Sequence, residues 1–334
     1  MRILLSSHVF SPSIGGIETA SLLFAKRFAA RGHDVTVVTA TPGTGEFPFH
    51  VVRRSDARTL LNLVRASQVV WHSNISLRAL WPLALVGRPL LVTHHVWLGP
   101  HSVSGRALAL LKKAASAMGE NVFVSQALKK AAGLPGEVIP NAYDDSVFRV
   151  LPDVAKDRDI AFVGRLVPGK GADVLIDAMR ILAGRGVRAG ASVIGSGPKA
   201  EKLKAQAISA GLGQAVSFLG PLDQPTLARE LNRHRILAVP SHWGEPFGIV
   251  ALEGAACGCV PVGTDDGGLP EAIGPCGPIV RKRDPGALAD ALEKLLANPE
   301  AMAGYRRAAG AHLVNYRSAT IVDAYEGILR RLVN

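Results

Sequence analysis

The sequence predicts an α/β protein built from two doubly wound units that face a central cleft. Three observations predict this. Short apolar runs alternate with helix-like stretches along the chain, and the alternation lapses over a polar interval near residue 151 and then restarts. At 334 residues the chain also exceeds the size at which one hydrophobic core stops growing. Hydrophobic residues make up 48% of the chain and aromatics 5%, with Gly and Pro as punctuation, a profile that excludes a disordered chain.

In the first half the strand-like runs are RILLSS, DVTVVT, QVVWHS, PLLVTHH, ENVFVS and EVIPN, with helix-like stretches at Thr19 to Ala30 and Gly105 to Ala117. Near-continuous apolar strands separated by helices predict a parallel sheet covered on both faces, with ligands at the carboxyl ends of the strands. LPDVAKDRD serves as the linker, giving domains of 1–152 and 153–317. The second half repeats the pattern with DIAFVG, ASVIGS, AVSFLG, RILAVPS, CVPVGT and GPIVRK. Its helical stretches are Ala172 to Gly184, Lys199 to Ala210, Gln224 to Asn232 and Gly248 to Ala256. A last helix, about Ile321 to Leu332 within 318–334, is expected to cross back onto the first domain.

Several function classes drop out early. The longest apolar candidate for a membrane span, Leu80 to Trp97, is broken by Pro82, Arg88, Pro89 and two histidines. The start, MRILLSSHVF, reads as a first strand and not as a signal peptide. Cys257, Cys259 and Cys276 are an odd number clustered late in the chain, which fits reduced cytoplasmic thiols better than a disulfide framework. A zinc reading of the C-x-C lacks a second ligand pair, and one of His94, His95 and His101 lacks a carboxylate and a plausible spacing. Asp157 to Asp159, DRD, precedes its strand and reads as linker charge, so no metal site is expected.

Charge is uneven. The formal net charge is +11, and residues 1–150 hold 16 Lys and Arg against 8 Asp and Glu, leaving 22 against 19 beyond. Arg53, Arg54, Arg58 and Arg65, with Lys112, Lys113, Lys129 and Lys130, either attract an anionic membrane surface or a phosphorylated acceptor, or form ordinary solvated faces. The expected location is cytoplasmic, with peripheral contact at the inner face of the cell membrane; nucleic acid is not an expected partner.

Four glycine-rich strand ends carry the chemistry. SPSIGGIE, residues 11 to 18, places Gly15 and Gly16 between a strand and a helix, where backbone approaches a ligand closely, although an ordinary turn looks the same. GRLVPGKG, Gly164 to Gly171, nearly matches a P-loop but has Gly171 in place of the hydroxyl residue that holds magnesium. It retains Arg165 and Lys170, placed to meet a diphosphate. GSGPKA, with Gly195 and Gly197, matches a dinucleotide fingerprint but lacks the acidic residue that closes the next strand. A P-loop phosphoryl-transfer enzyme and an NAD-dependent oxidoreductase therefore stay open, with a non-catalytic sugar-nucleotide binder behind them.

The strongest local signal is HWGEPFGIVALEGAACGCVPV, residues 242 to 262. Pro246 suits a first helical position, which puts Glu245 at the mouth of a helix and Glu253 two turns inside. The amides of Phe247, Gly248, Ile249 and Val250 are then free to meet an anion or a sugar hydroxyl. His95 ends the strand RPLLVTHH on the face of Thr93 and opposite His94, so it can enter the cleft, although strand-end histidines are more often structural.

In this order, these residues resemble glycosyltransferase family 4, the retaining family with the GT-B fold of two Rossmann-like domains. The resemblance covers nearly the whole chain through VIPNAYDDSVF, AFVGRLVPGKGADVLIDA, VIGSGP, VSFLGPL, VPSHWGEPFGIVALEGAACGCVPV and DDGGLPEAI. It implies that Glu245 and Glu253 are the family's E-x7-E pair, touching the donor sugar and the ribose hydroxyls. It implies that Arg165 and Lys170 neutralise the departing diphosphate and that Gly15 and Gly16 flank phosphate or acceptor. His95 would contact the transferred sugar, and Gly164, Gly195 and Gly197 would border the donor. The implied reaction is hexose transfer with retention from a nucleotide diphosphate sugar, UDP-linked by preference or GDP-mannose. The acceptor would be a glycan, a lipid-linked intermediate or a small molecule, with no cofactor and no obligatory metal. Asn141-Ala142 and Tyr143 depart from the family's asparagine-glycine and small aliphatic residue after the interlobe strand.

Overall fold

The computed structural model of the chain describes residues 1–13, 15–99 and 103–334, with backbone alone at 78, 79, 103, 104 and 106. Ile14 of the first glycine-rich loop and His101 lie outside the described residues. The chain divides into two compact units, Met1–Ala142 with Ser318–Asn334, and Tyr143–Arg317.

The first unit is a parallel sheet of β1 (Arg2–Ser7), β2 (Asp34–Thr39), β3 (His50–Arg53), β4 (Val69–Ser73), β5 (Leu90–His94), β6 (Glu120–Phe123) and β7 (Glu137–Val138), in the order β3-β2-β1-β4-β5-β6-β7. Its helices are α1 (Gly16–Ala30), α2 (Ala57–Ala66), α3 (Leu77–Val86), α4 (Val103–Ser116) and α5 (Gln126–Ala132). β4 and β5 are buried along their whole length, which is why each opens on an apolar run, VVW and LLV, without polar alternation. The core under α1 is aromatic: Trp71 lies 4.8 Å from the Tyr325 ring and 5.1 Å from Phe24, and its indole N–H donates to Thr93 Oγ1 at 2.8 Å. A buried indole needs such a partner for its one polar atom.

The second unit is a parallel sheet of β8 (Arg158–Val163), β9 (Ala191–Ile194), β10 (Val216–Gly220), β11 (His234–Val239), β12 (Val260–Thr264) and β13 (Ile279–Val280), in the order β10-β9-β8-β11-β12-β13. Its helices are α6 (Ala172–Gly184), α7 (Ala200–Ser209), α8 (Gln224–Arg233), α9 (Ile249–Ala256), α10 (Leu269–Ile273), α11 (Pro285–Ala297) and α12 (Pro299–Val314). A continuous core runs from Ile160 and Phe162 on β8 through Leu175 and Met179 on α6 to Leu288 and Leu292 on α11. The last helix, α13 (Ser318–Val333), belongs to the first unit, where Tyr325, Ile328 and Leu329 enter the core. Arg31, the C-cap of α1, fixes it through Asp323 and Glu326, each at 2.7 Å.

Several expectations change. The units part after Ala142, so the polar stretch 151–159 is not a free linker but part of the second unit. Lys156 Nζ donates to the carbonyls of Asn232, His234 and Cys257 at 3.1, 2.8 and 3.0 Å. A cation over carbonyls at the ends of α8 and α9 satisfies orphan acceptors there. The DRD acids are engaged as well: Asp157 pairs with Arg233 at 2.7 Å, and Asp159 accepts from the Gly190 amide at 3.0 Å. Helices α11 and α12, absent from the strand-helix count above, are announced by Asp284-Pro285 and Asn298-Pro299. Each cap side chain accepts from the amide three residues on.

Candidate active site

Doubly wound sheets bind ligands where the strand order reverses, outside the carboxyl ends of the strands. In the second unit that point lies between β8 and β11, so it is bordered by the loops after these two strands, 164–171 and 240–248. They are joined closely. The His242 amide donates to the Gly169 carbonyl at 2.8 Å, and Gly169, at φ +90, leaves room for the Trp243 side chain where a Cβ would stand 2.6 Å from its Cβ. Gly171, at φ +82, packs so tightly that any Cβ would run into the Pro240 carbonyl oxygen. The serine or threonine of a P-loop therefore has no room at this position.

The approach brings Lys170 and Glu245 together. Lys170 Nζ lies 2.7 Å from Glu245 Oε2, with the two side chains 20% and 14% exposed. Ser241 Oγ and Trp243 Nε1 donate to the same oxygen, each at 3.2 Å, and Lys170 sits 5.3 Å from the Trp243 ring centroid. Oε1 of Glu245 has no partner among the described residues. One carboxylate oxygen is thus fixed by three donors while the other is left to accept from a ligand hydroxyl. The loop after β12 holds the backbone beneath: the Gly268 amide donates to the Glu245 carbonyl and the Gly244 amide to Asp266 Oδ2, both at 2.8 Å. Lys282 pairs with Asp266 at 2.9 Å.

Helix α9 starts at Ile249 with Gly248 at φ 104 as its N-cap, within one residue of the expected stretch Gly248 to Ala256 but three residues after the start that Pro246 suggests. Pro246 precedes the helix instead of opening it, because the left-handed turn at Gly248 intervenes. Glu253 therefore lies little more than one turn inside the helix, not two. The Ala251 amide closes onto Gly248 O at 3.0 Å. Those of Phe247, Gly248, Ile249 and Val250 have no acceptor among the described residues. This open N-terminus carries the positive end of the helix dipole. The Phe247 side chain is buried against Tyr316, so its contribution to any ligand is its amide.

The other sequence candidates divide. Arg165 leaves β8 in the same loop as Lys170, exposed and without a side-chain partner among the described residues. The structure does not bring it onto Glu245. Gly195 and Gly197 crowd the backbone of the first loop: a Cβ on either would strike Gly164 O or Leu166 O. The Leu166 amide bonds Ser196 O at 2.8 Å, so these glycines lock two loops together whatever ligand they border. Asp223, the acid nearest the dinucleotide fingerprint's requirement, caps α8 by accepting from Thr226 N. Glu253 is buried, and burial with Asp144 nearby raises its pKa to about 7.

In the first unit the reversal lies between β1 and β4, and Gly15 and Gly16 stand after β1 at the start of α1. His95 follows β5, buried, with its amide donating to Asn74 Oδ1 at 2.7 Å. Burial and the neighbouring His94 lower its pKa to about 4, so the ring is neutral at pH 7 and can donate one hydrogen bond and accept another. His94 is structural: it bonds Asn121 at 2.8 Å and stacks on Phe123. Ser241, Trp243 and Asp266 are the site residues that sequence reasoning missed. A large aromatic two residues before Glu245 was the available signal for Trp243, which is 47% exposed. Among the described residues no cluster of His, Cys, Asp and Glu could hold a metal ion.

Known proteins share this fold. The solved structure of Alr3699/HepE from Anabaena in complex with UDP and glucose superposes with TM-score 0.85 over 99% of this chain and 100% of that one, at 21% identity. Sucrose-phosphate synthase from Thermosynechococcus elongatus gives 0.81 over 99% and 98%, at 20% identity. At such identities the likeness shows the fold, which is GT-B. Among curated relatives, the D-inositol 3-phosphate glycosyltransferase of Mycolicibacterium paratuberculosis is 37% identical over 182 residues, 53% of this chain and 41% of that protein. That of Corynebacterium jeikeium is 35% identical over 182 residues, 52% and 43%. The chain thus spans well under half the length of these relatives. The family described as glycosyl transferases group 1 matches residues 145–311, half of the chain. On that match the chain belongs to the glycosyl transferases group 1.

Proposed function

We propose that the chain transfers a hexose, with retention at the anomeric carbon, from a nucleotide diphosphate sugar to an acceptor hydroxyl. The observation that carries this reading is the Lys170–Glu245 pair at the strand-order reversal, beside the open amides of α9. Glu245 Oε1 accepts from a donor-sugar hydroxyl, and the amides of residues 247–250 with Lys170 and Arg165 meet the diphosphate. Glu253 takes the ribose hydroxyls, Gly164, Gly195 and Gly197 border the donor, and Gly15 and Gly16 flank phosphate or acceptor. His95 touches the transferred sugar as a neutral imidazole.

As the bond from the anomeric carbon to the diphosphate oxygen breaks, its electron pair goes to the leaving group. The acceptor oxygen attacks from the same face and passes its proton to the departing phosphate. Negative charge grows where fixed cations and helix amides already point, which lowers the barrier without requiring a metal. A UDP-linked donor is the first choice, supported by the UDP bound in the Anabaena structure. The relatives' names add inositol 3-phosphate to glycans and lipid-linked sugars as acceptors to try.

Thermal unfolding with UDP, GDP, ADP, ATP plus magnesium, and NAD tests the donor class. A ligand at 100 times its Kd adds about 2.7 kcal/mol. Stabilisation by UDP or GDP, followed by an α-linked product from an α-linked donor in proton NMR, is expected. Stabilisation by ATP or NAD alone, or a β-linked product, overturns the reading.

A further inference from the structure

The first unit carries a surface at odds with ordinary solvation. Trp81 and Leu85 on α3, Leu108, Leu110 and Leu111 on α4, and Met118 just beyond it are all exposed, with Leu85 and Leu110 at 68%. Helices α3 and α4 are in contact. Single exposed leucines need no explanation, but five large apolar side chains exposed on two touching helices, with a sixth just past α4, are the concentration that marks a docking surface. A helix of a water-facing unit turns its leucines inward; α4 leaves three of them outside.

Charge identifies what covers the patch. From Ala57 to Gly119 the chain has seven Lys and Arg and no Asp or Glu. Lys112 and Lys113 follow the exposed leucines directly on α4, and Arg88 lies just beyond α3. Apolar side chains backed by basic ones, without acids between them, suit the headgroup boundary of an anionic bilayer, where burial and electrostatic attraction add. A second copy docked face to face would set two basic segments without acids of their own against each other. We infer that the α3–α4 face seats the first unit on an anionic lipid bilayer, with Trp81 and the leucines entering the headgroup boundary and Lys112 and Lys113 meeting lipid phosphates.

Co-sedimentation of the full chain with phosphatidylcholine vesicles, alone or mixed with phosphatidylglycerol, tests this at low and high salt. Binding is expected only with the anionic lipid and is expected to weaken with salt. Two double variants, L110D/L111D and K112E/K113E, should each reduce partitioning about tenfold or more. Both replace side chains that are not buried, so the melting temperature and the nucleotide-induced shift should be those of the parent chain. Absence of vesicle binding, binding indifferent to both variants, or a dimer in light scattering that L110D/L111D dissolves would each overturn the inference. Vesicle binding by a chain that ignores nucleotides would defeat the proposed function and leave the membrane face standing; the converse result would do the reverse.

Discussion

The two units are variations on one topology, a parallel sheet whose strand order reverses once, yet what they set at the reversal differs. The second unit gathers charge: Lys170, Glu245, Asp266 and Lys282 stand on the four loops after β8, β11, β12 and β13, tied by hydrogen bonds and by glycines where a Cβ would run into neighbouring backbone. The first unit sets buried, neutral groups there and beside it, His95 among them, over an aromatic core. Residues 145–311, the stretch that matches the family, fall inside the second unit. Under the proposed function, fixed charge in the family-wide part would suit a diphosphate leaving group, whereas neutral hydrogen-bonding groups would suit a partner that varies.

The strongest way to break this contrast is to remove the charge. Lys170→Ala and Glu245→Gln should each cut turnover about 10² to 10³-fold, the range for loss of one preorganised electrostatic contact. Because the two side chains share one oxygen's worth of contacts, the double variant should lose much less than the product of the single losses. His95→Ala in the first unit should cost less. Steady-state kinetics on all four chains measures this, and fully multiplicative effects would show that the pair does not act as a unit.

A smaller effect separates locked loops from loose ones. Gly171→Ala places a methyl group against the Pro240 carbonyl at φ +82, and should destabilise the second unit by about 3 kcal/mol. Gly32→Ala in the first unit, at φ +80 but with nothing near the new Cβ, should cost only the backbone strain, about 1 kcal/mol. Chemical denaturation of both variants gives the comparison; equal losses would mean that the packing of the 164–171 loop on Pro240 contributes nothing.

These features were unequally legible. The strands of both sheets could be read from apolar runs, except β3, whose short, half-exposed HVVR makes no such run, and GRLVPGKG and HWGEPFG could be read from their glycines, because both signals are local. The pairing of Lys170 with Glu245 was expected only as a shared site; that they touch follows from the adjacency of β8 and β11, a long-range fact. The start of α9 was misplaced because Pro246 is a good first helical residue in isolation, and the left-handed turn at Gly248 overrides it. The boundary at Ala142 was missed since 151–159 is polar, and what binds it to the second unit is Lys156 reaching carbonyls some 75 to 100 residues away in sequence. Composition does not report such contacts.

Two glutamates sharpen the comparison through pH. Glu326, in the first unit, has its pKa lowered to about 2 by hydrogen bonds from Arg31 and Arg330. A depressed carboxyl stabilises above its unfolded value near 4.5, and that contribution is lost as pH falls through about 2. Glu326→Gln should therefore weaken the first unit at pH 7 by about 1 to 2 kcal/mol, allowing for solvent screening of the arginines, and by little at pH 2. Glu253, in the second unit, is shifted the other way, to about 7. Its unfolded form ionises first, so the folded state loses stability as pH rises from about 4.5 to 7. Glu253→Gln should then raise the free energy of unfolding at pH 8, by up to about 3 kcal/mol, and change it little at pH 4. If Glu253 is kept for ribose, the same stabilised variant should bind UDP more weakly, a combination that a merely structural glutamate would not produce. Denaturation at pH 4 and 8 beside UDP titration decides it, and a variant that is both stabler and unimpaired in binding would remove Glu253 from the donor site.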